Sequence, residues 1–294
     1  MERRRALALT ALIGAPTSMG AHSPGQEQAP AALRAAGLAE RLGAVLDLGD
    51  TTVRRWAPDR EHRRAQNAPG VAAAAAEVAE RVERALRDGH RALVLGGDCT
   101  IELGVVTGAQ RAGLRPGLVY FDMHPDLNTP ETIVGGTFDW MGVAHMLALP
   151  GTHPALSAPL LAPADLVLVA AEAAEMTAGE QRAIADHDLA TIPLADVAAD
   201  PHAAAARAIA ALDHEHLLVH FDVDVVDFVD QPLSENTGLN IGLPFATARI
   251  VLDALLADPR VAAVTVTEHN PFHGAADGST TAALADALAA ALSE

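Results

Sequence analysis

Three short acidic clusters lie far apart in this chain, and their spacings suit one two-metal site. They are Asp122-Met123-His124-Pro125-Asp126, then Asp222-Val223-Asp224, then Glu268 in Thr267-Glu268-His269-Asn270-Pro271. Residues i, i+2 and i+4 of an extended segment project to one side, so Asp122, His124 and Asp126 would face the same point. Asp222 and Asp224 repeat that geometry. Carboxylates so close repel unless cations sit between them. Four carboxylates and one imidazole suit a hard or borderline divalent ion such as Mn²⁺, and bridging carboxylates could hold two ions about 3.5–4 Å apart. The chemistry such ions support is hydrolysis. The competing reading is that strand-end Asp residues cap the helices that follow. One DxHxD run alone would be read that way, but three clusters in one chain argue for metal.

Each cluster follows an apolar run of β type: Gly117-Leu118-Val119-Tyr120-Phe121, Leu217-Leu218-Val219-His220-Phe221 and Val264-Thr265-Val266. Strand ends in an open α/β sheet converge on one crevice. A fourth junction, Gly96-Gly97-Asp98-Cys99-Thr100, follows Ala92-Leu93-Val94-Leu95. Its glycines permit a tight turn and close approach of the backbone, and Asp98 is placed to cap a helix. Cys99 has two readings, a small buried apolar residue or a thiolate ligand beside the carboxylates. His220 faces either the site or the sheet interior, and the interior reading is the simpler one.

Strands are expected near 6–14, 44–48, 91–96, 117–122, 165–170, 190–193, 216–222 and 261–267. Helices are expected near 29–42, 70–89, 100–112, 140–149, 178–187, 202–213, 245–257 and 279–292. The alternation predicts a mostly parallel sheet with helices on both faces. No linker interrupts it, so one domain is expected over 1–294. The stretch 54–69, with five arginines and two prolines, reads as a surface loop.

Half of the 294 residues are apolar but only 3% are aromatic, so Ala, Leu and Val must build the core. With 20 Lys+Arg against 38 Asp+Glu the formal charge is −18, which disfavours nucleic acid and anionic membranes as partners; a cationic substrate would meet a favourable field, although a soluble, salt-tolerant surface explains the same charge more simply. One cysteine excludes an intrachain disulfide and points to a reducing cytoplasm. The basic run 2–5 and the apolar stretch after it are read as leading into a first strand rather than as a secretory segment. No apolar run approaches the roughly 20 residues that span a bilayer.

The order of these motifs resembles the arginase/agmatinase (ureohydrolase) family, whose pattern is GGDH, DxHxDxN, DxDxxDP and a Glu before Asn-Pro. The matching runs are Gly96-Gly97-Asp98-Cys99, Asp122 to Asn128, Asp222 to Asp227, and Glu268-His269-Asn270-Pro271. Further similarity lies in Gly14-Ala15-Pro16 with Gly25 and Pro30, in Gly179-Glu180, and in Thr237-Gly238-Leu239. The resemblance implies a three-layer αβα fold with an eight-stranded, mostly parallel sheet. It implies two Mn²⁺ ions bridged by Asp122 and Asp222, with His124 and Asp224 completing one and Asp126 and Cys99 the other. It implies Glu268 against a guanidinium, Asp126 as proton carrier, a small cationic guanidino substrate cleaved to urea or a urea-like product, and trimers or hexamers.

The chain departs from that pattern at several points. Cys99 stands where the family has histidine, and its softer sulfur tilts metal choice towards Zn²⁺, Fe²⁺ or Co²⁺. The family's proton-shuttle histidine falls on Asp139, with Trp140 in place of glycine. Substrate contacts fall on Asn128, Gly135, Thr137 and Glu175. His145 and His273 are the histidines that could replace the lost shuttle. Asn128-Thr129-Pro130-Glu131-Thr132 together with Cys99 is similar to the branch that hydrolyses Nω-hydroxyarginine and releases hydroxyurea. Two other readings stand beside guanidino hydrolysis: a formimino or amide hydrolase on the same metal site, and a metal-binding homologue without catalysis.

Overall fold

All eight apolar runs form strands: β1 (Thr10–Gly14), β2 (Val45–Asp50), β3 (Arg91–Leu95), β4 (Pro116–Phe121), β5 (Leu166–Ala171), β6 (Ala190–Pro193), β7 (His216–Asp222) and β8 (Val261–Thr267). The structure, a computed structural model, describes residues 9–238 and 240–293. The basic run 2–5, the first residues of the strand expected over 6–14, and Leu239 lie outside them. The strands make one sheet in the order β2-β1-β3-β8-β7-β4-β5-β6. Every pairing between them is parallel, so the mostly parallel expectation becomes a wholly parallel sheet.

Parallel strands need crossovers, and ten α-helices are described: α1 (Ala29–Ala35), α2 (Leu38–Leu42), α3 (Ala68–Arg87), α4 (Ile101–Arg111), α5 (Gly142–Met146), α6 (Ala178–Asp186), α7 (Leu194–Ala199), α8 (Pro201–Ala211), α9 (Phe245–Leu256) and α10 (Ser279–Leu292). The strand period of two sorts the core into two layers. Val119, Phe121, Val167, Val219, Phe221 and Val264 join the apolar sides of α8, α9 and α10 on one face. Leu118, Tyr120, Leu166, Leu168 and Leu218 join those of α3, α4 and α5 on the other. This is the three-layer αβα arrangement. No helix among the described residues is long and apolar enough to cross a membrane.

Two helix boundaries differ from expectation for local reasons. The helix expected over 29–42 breaks into α1 and α2 at Gly37, whose φ of 78° is the left-handed conformation that ends a helix. The six-residue α7 was not expected, because only Leu194 and Val197 mark its buried side and one turn carries too little periodicity to register. The stretch after β2 is the irregular, largely exposed segment that its arginines and prolines predicted.

For the site, strand order matters most. β3, β8, β7 and β4 are four consecutive strands at the centre of the sheet. They are the four that end in Cys99, Glu268, Asp222 and Asp122, so the fold brings residues more than a hundred positions apart to one hole.

Candidate metal centre and its cleft

Asp122 and Asp222 leave β4 and β7 side by side, since Phe121 and Phe221 are register partners. Each spends one oxygen on its own chain. Oδ1 of Asp122 accepts the amide of His124 at 2.6 Å, and Oδ1 of Asp222 accepts the amide of Asp224 at 2.7 Å. This local turn fixes each carboxylate and swings the next functional side chain to the same side. The remaining oxygens face inward. Asp222 Oδ2 accepts the Cys99 thiol at 2.8 Å. Asp122 Oδ2 is buried and has no hydrogen-bond partner, and neither has Asp224 Oδ1. The other oxygen of Asp224 receives His124 Nδ1 and Asn236 Nδ2, both at 3.0 Å.

The Gly96-Gly97 turn brings Cys99 to this point. A Cβ on Gly97 would lie 2.3 Å from the carbonyl oxygen of Thr17 and 2.9 Å from that of Ala15, so only glycine lets the loop pass against the end of β1. Asp98 braces it, accepting the amides of Gly20 at 3.0 Å and Thr100 at 3.1 Å. Glu268 follows β8 with φ 61°, and Asp126 has φ 49°. Both are left-handed conformations that an L-residue adopts only under constraint, a pattern that clusters at functional sites. Glu268 accepts the amide of Cys99 at 3.2 Å and the side-chain amide of Gln26 at 3.0 Å. Asp126 takes the hydroxyl of Tyr120.

Two groups of potential donor atoms lie within 4.8 Å of one another: Cys99, Asp122, His220 and Asp222, and then Asp122, His124 and Asp224. They share Asp122, as adjoining sites with a bridging carboxylate would. Asp126 falls in neither group. No arginine pairs with any of these carboxylates among the described residues, and the chain contains no lysine.

Protonation follows from that charge imbalance. Burial pushes Asp222 up to about 8, helped by the charge of Asp224. Burial and the neighbouring carboxylates also push Asp122, Glu268 and the Cys99 thiol well above their ordinary values. Burial works against a charged His124, but the charge and hydrogen bond of Asp224 outweigh it and raise it to about 10. Asp224 is lowered despite its burial, by His124. Without added cations the basket therefore holds protons, and protons and cations would compete for the same oxygens. Unpartnered buried acceptors, mutual repulsion and a mixed S/N/O donor set all fit divalent ions.

A cleft of about 270 Å³ opens onto the centre. His124, Asp126, Asn128, Trp140, Glu175 and Asn236 are among its lining residues. Of the other sequence-derived contacts, Thr137 and Asp139 are buried and Glu268 is only 5% exposed; none of the three lines this cleft. Asp139 accepts the amide of Trp140 at 3.0 Å, and burial followed by the charge of Asp98 pushes it well above the usual carboxylate range. Asn128 is held by the Thr177 hydroxyl at 3.0 Å. Glu175 is exposed at the rim.

The histidines considered as replacement shuttles are otherwise engaged. His145 meets the Met141 carbonyl with Nδ1 at 2.7 Å and the His153 amide with Nε2 at 2.9 Å, and burial depresses it to about 4. His273 meets the Ser234 carbonyl at 2.8 Å and the Asn270 side chain at 3.3 Å. Sequence reasoning missed Gln26, Asn236 and Glu102. Glu102 is three residues along α4 from the Cys99 junction and could have been found by helical spacing. Gln26 lies in a three-residue 3-10 turn and Asn236 in a loop, and no periodicity announces the course of either.

A parallel sheet whose central strands end in a buried acidic centre beneath a cleft defines a three-layer αβα protein with a candidate metal centre at its strand ends. The sequence profile of the arginase family matches residues 8–293, and the chain belongs to that family. It is 28% identical over 277 residues to an arginase of Bacillus caldovelox, covering 89% of this chain and 90% of the relative. Its fold superposes on an arginase from Bacillus subtilis with a TM-score of 0.85 at 23% identity, covering 97% of this chain and 99% of that one. A formiminoglutamase of Trypanosoma cruzi, solved with Mn²⁺, gives a TM-score of 0.73 at 20% identity over 98% of this chain and 96% of that one. The family resemblance and the αβα expectation are thus met.

Proposed function

We propose that the protein is a two-metal amidinohydrolase that cleaves a guanidino C–N bond of a small cationic substrate, releasing urea or a urea-like product and an amine. The observation that carries this reading is the pair of buried, partnerless oxygens on Asp122 and Asp224 in a basket with no arginine or lysine. Asp122 and Asp222 would lie between the ions, with His124 and Asp224 on the outer one and Cys99 and Asp126 on the inner. Mn²⁺ is the expected metal, and Cys99 opens the inner position to Zn²⁺, Fe²⁺ or Co²⁺. Divalent ions held there supply a water made nucleophilic near neutral pH.

The protein's own groups do the rest. With cations relieving the neighbouring carboxylates that raise it, Glu268 would offer negative charge to a planar cation, and an ionised carboxylate can accept more bonds than the two it makes here. Asp126, held by Tyr120 at the cleft wall, is placed to take a proton. Asp139, which burial pushes well above the usual carboxylate range, stands at the position of the family's shuttle and would help pass that proton to the leaving amine. Asn128, Thr137 and Glu175 would contact the substrate, with Glu175 at the rim drawing in a second positive group. The single cysteine supports a cytoplasmic location, and the family resemblance supports one domain over 1–294 assembled as trimers or hexamers.

The test is to load the protein with Mn²⁺, confirm two ions per chain, and offer arginine, Nω-hydroxyarginine and small guanidino compounds. Urea or hydroxyurea is the expected product. Ammonia or formamide without urea would move the reaction to a formimino or amide substrate. No turnover on any compound with two ions bound would mark the protein as a metal-binding homologue without catalysis.

A further inference from the structure

We infer that His220 is itself a ligand of the inner ion, restoring from β7 the imidazole that the family pattern places at position 99 and this chain replaces with Cys99. This rests on the two-metal reading above.

His220 stands two residues before Asp222 on the same strand, so both side chains point to one side of the sheet. It is fully buried. Its ring lies flat on that of Tyr120, centroids 4.1 Å apart and planes 4° from parallel, which fixes the direction of both nitrogens. Nδ1 is 3.2 Å from Oε2 of Glu102, a fully buried carboxylate whose other oxygen has no partner. With Nδ1 donating to that carboxylate, Nε2 is the ring nitrogen left to present a lone pair. Nε2 is 3.2 Å from the Thr267 hydroxyl, which also lies 3.4 Å from the Cys99 sulfur. One ring nitrogen of His220 lies within 4.8 Å of donor atoms of Cys99, Asp122 and Asp222.

A carboxylate that takes one ring N–H while the other nitrogen faces a donor cluster is the usual setting of a metal-bound histidine. The other buried histidines are set differently. His145 is flanked by backbone groups, and His269 lies between the Leu233 carbonyl and the Thr281 hydroxyl. Neither has a carboxylate partner. Glu102 is also costly as pure structure, because a buried carboxylate oxygen is left without a donor. It gains a purpose if it orients His220 and strengthens its basicity towards a cation. With His220 taking the place of Asp126, which falls outside this donor group, the inner set of one sulfur, one nitrogen and two oxygens from Cys99, His220, Asp122 and Asp222 is borderline to soft. It favours Zn²⁺ or Co²⁺ over Mn²⁺ at the inner position, while the outer set of His124, Asp122 and Asp224 carries no sulfur.

Cobalt gives the test a readout apart from turnover. Titrating the metal-free protein with Co²⁺ should fill two sites, and the inner one should show a sulfur-to-cobalt absorption band with d–d bands of low-symmetry four-coordination. In His220→Asn, whose amide can still donate to Glu102, the inner ion should bind at least about 100-fold more weakly and the band should be lost or shifted. In Glu102→Gln, affinity should fall about 10–100-fold with the band retained. His220→Asn binding two Co²⁺ with unchanged affinity and spectrum would overturn the proposal and leave the two-metal reading standing. Wild-type protein that binds no ion would sink both. If His220→Asn does not fold, X-ray absorption of the wild-type two-metal protein decides. One imidazole per ion on average supports His220 and His124 as ligands, and half an imidazole per ion refutes His220.

Discussion

The two ends of the sheet treat carboxylates in opposite ways. At the N-terminal end, below β4, β7 and β8, acidic side chains meet nitrogen-bearing side chains of the protein itself. Asp258 receives Nε and Nη2 of Arg260 at 3.0 and 2.9 Å, and Asp165 lies 3.0 Å from Nε2 of His214. Arg260 also donates to the carbonyls of Leu212 and His214, at 2.8 and 3.3 Å. At the C-terminal end Asp122, Asp222, Asp224 and Glu268 are at most 5% exposed, yet among the described residues His124 is the sole basic partner on offer, 3.0 Å from Asp224 and 3.6 Å from Asp122. Charge satisfied by the chain stabilises the chain, whereas charge left unsatisfied selects for something that the chain does not contain. The contrast locates function at one end of a sheet whose two ends are built from the same strands.

The largest effects should come from removing a carboxylate at the unsatisfied end. Asp122→Asn and Asp222→Asn should each abolish turnover and drop the metal content below two ions per chain, as read by elemental analysis. Two ions still bound in either variant would break the assignment of those residues as bridges. In metal-free protein the same changes should raise stability by about 1–3 kcal/mol, because a neutral amide removes the cost of burying or protonating a carboxyl group there. Loss of function with gain of stability is the signature of a site kept under strain, and denaturant melts in chelator would reveal it.

A somewhat smaller effect concerns pH. Asp222 is raised to about 8, so between the ordinary carboxylate value near 4 and 8 the folded, metal-free chain holds a proton that the unfolded chain has released. Stability falls as pH rises through that window. His124, raised to about 10, adds a loss of the same sign from its ordinary value of about 6.5 upward. Asp224, lowered by His124, acts oppositely and costs stability only below about pH 4. In chelator the melting temperature should therefore be highest near pH 4 and decline towards pH 9. Saturating Mn²⁺ should remove the decline, since the cation then does what the protons did. A flat profile in chelator would mean that the basket is less crowded than its geometry implies.

The sequence made the satisfied and unsatisfied ends unequally legible. The strands were readable because their apolar runs are buried on both faces, and the acidic clusters because strand ends fix their position to within a residue. Asp122, His124, Asp222 and Asp224 converge as alternation required. Thr137 and Glu268 show what alternation cannot supply: neither lines the cleft, because the loops that cover them follow no period. Gln26 and Asn236 were equally invisible, since one lies in a single 3-10 turn and the other in a loop, and neither follows a period. The helix over 29–42 split because a single glycine in the left-handed region outweighs apolar periodicity on either side. His220 was read as a structural residue, and its partner Glu102 was hidden one turn along a helix rather than along the strand.

The smallest predicted effect sharpens the comparison from the other end. Asp258→Asn removes one half of a partly buried, two-pronged pair, with side chains 13% and 17% exposed. A charge-assisted pair in that setting is worth about 1–2 kcal/mol after solvent screening, and Arg260 keeps its bonds to the carbonyls. The melting temperature should drop by about 2–4 °C for each kcal/mol lost. Metal content and turnover should not change, because the pair sits a full strand length from the basket. If Asp258→Asn instead weakened metal binding, the two ends would be coupled through β8, whose far end carries Glu268. The division between a stabilising and a functional end would then be one of degree, with strain at the top transmitted to the bottom. Unchanged metal affinity together with a lowered melting temperature is the result that keeps the two ends independent.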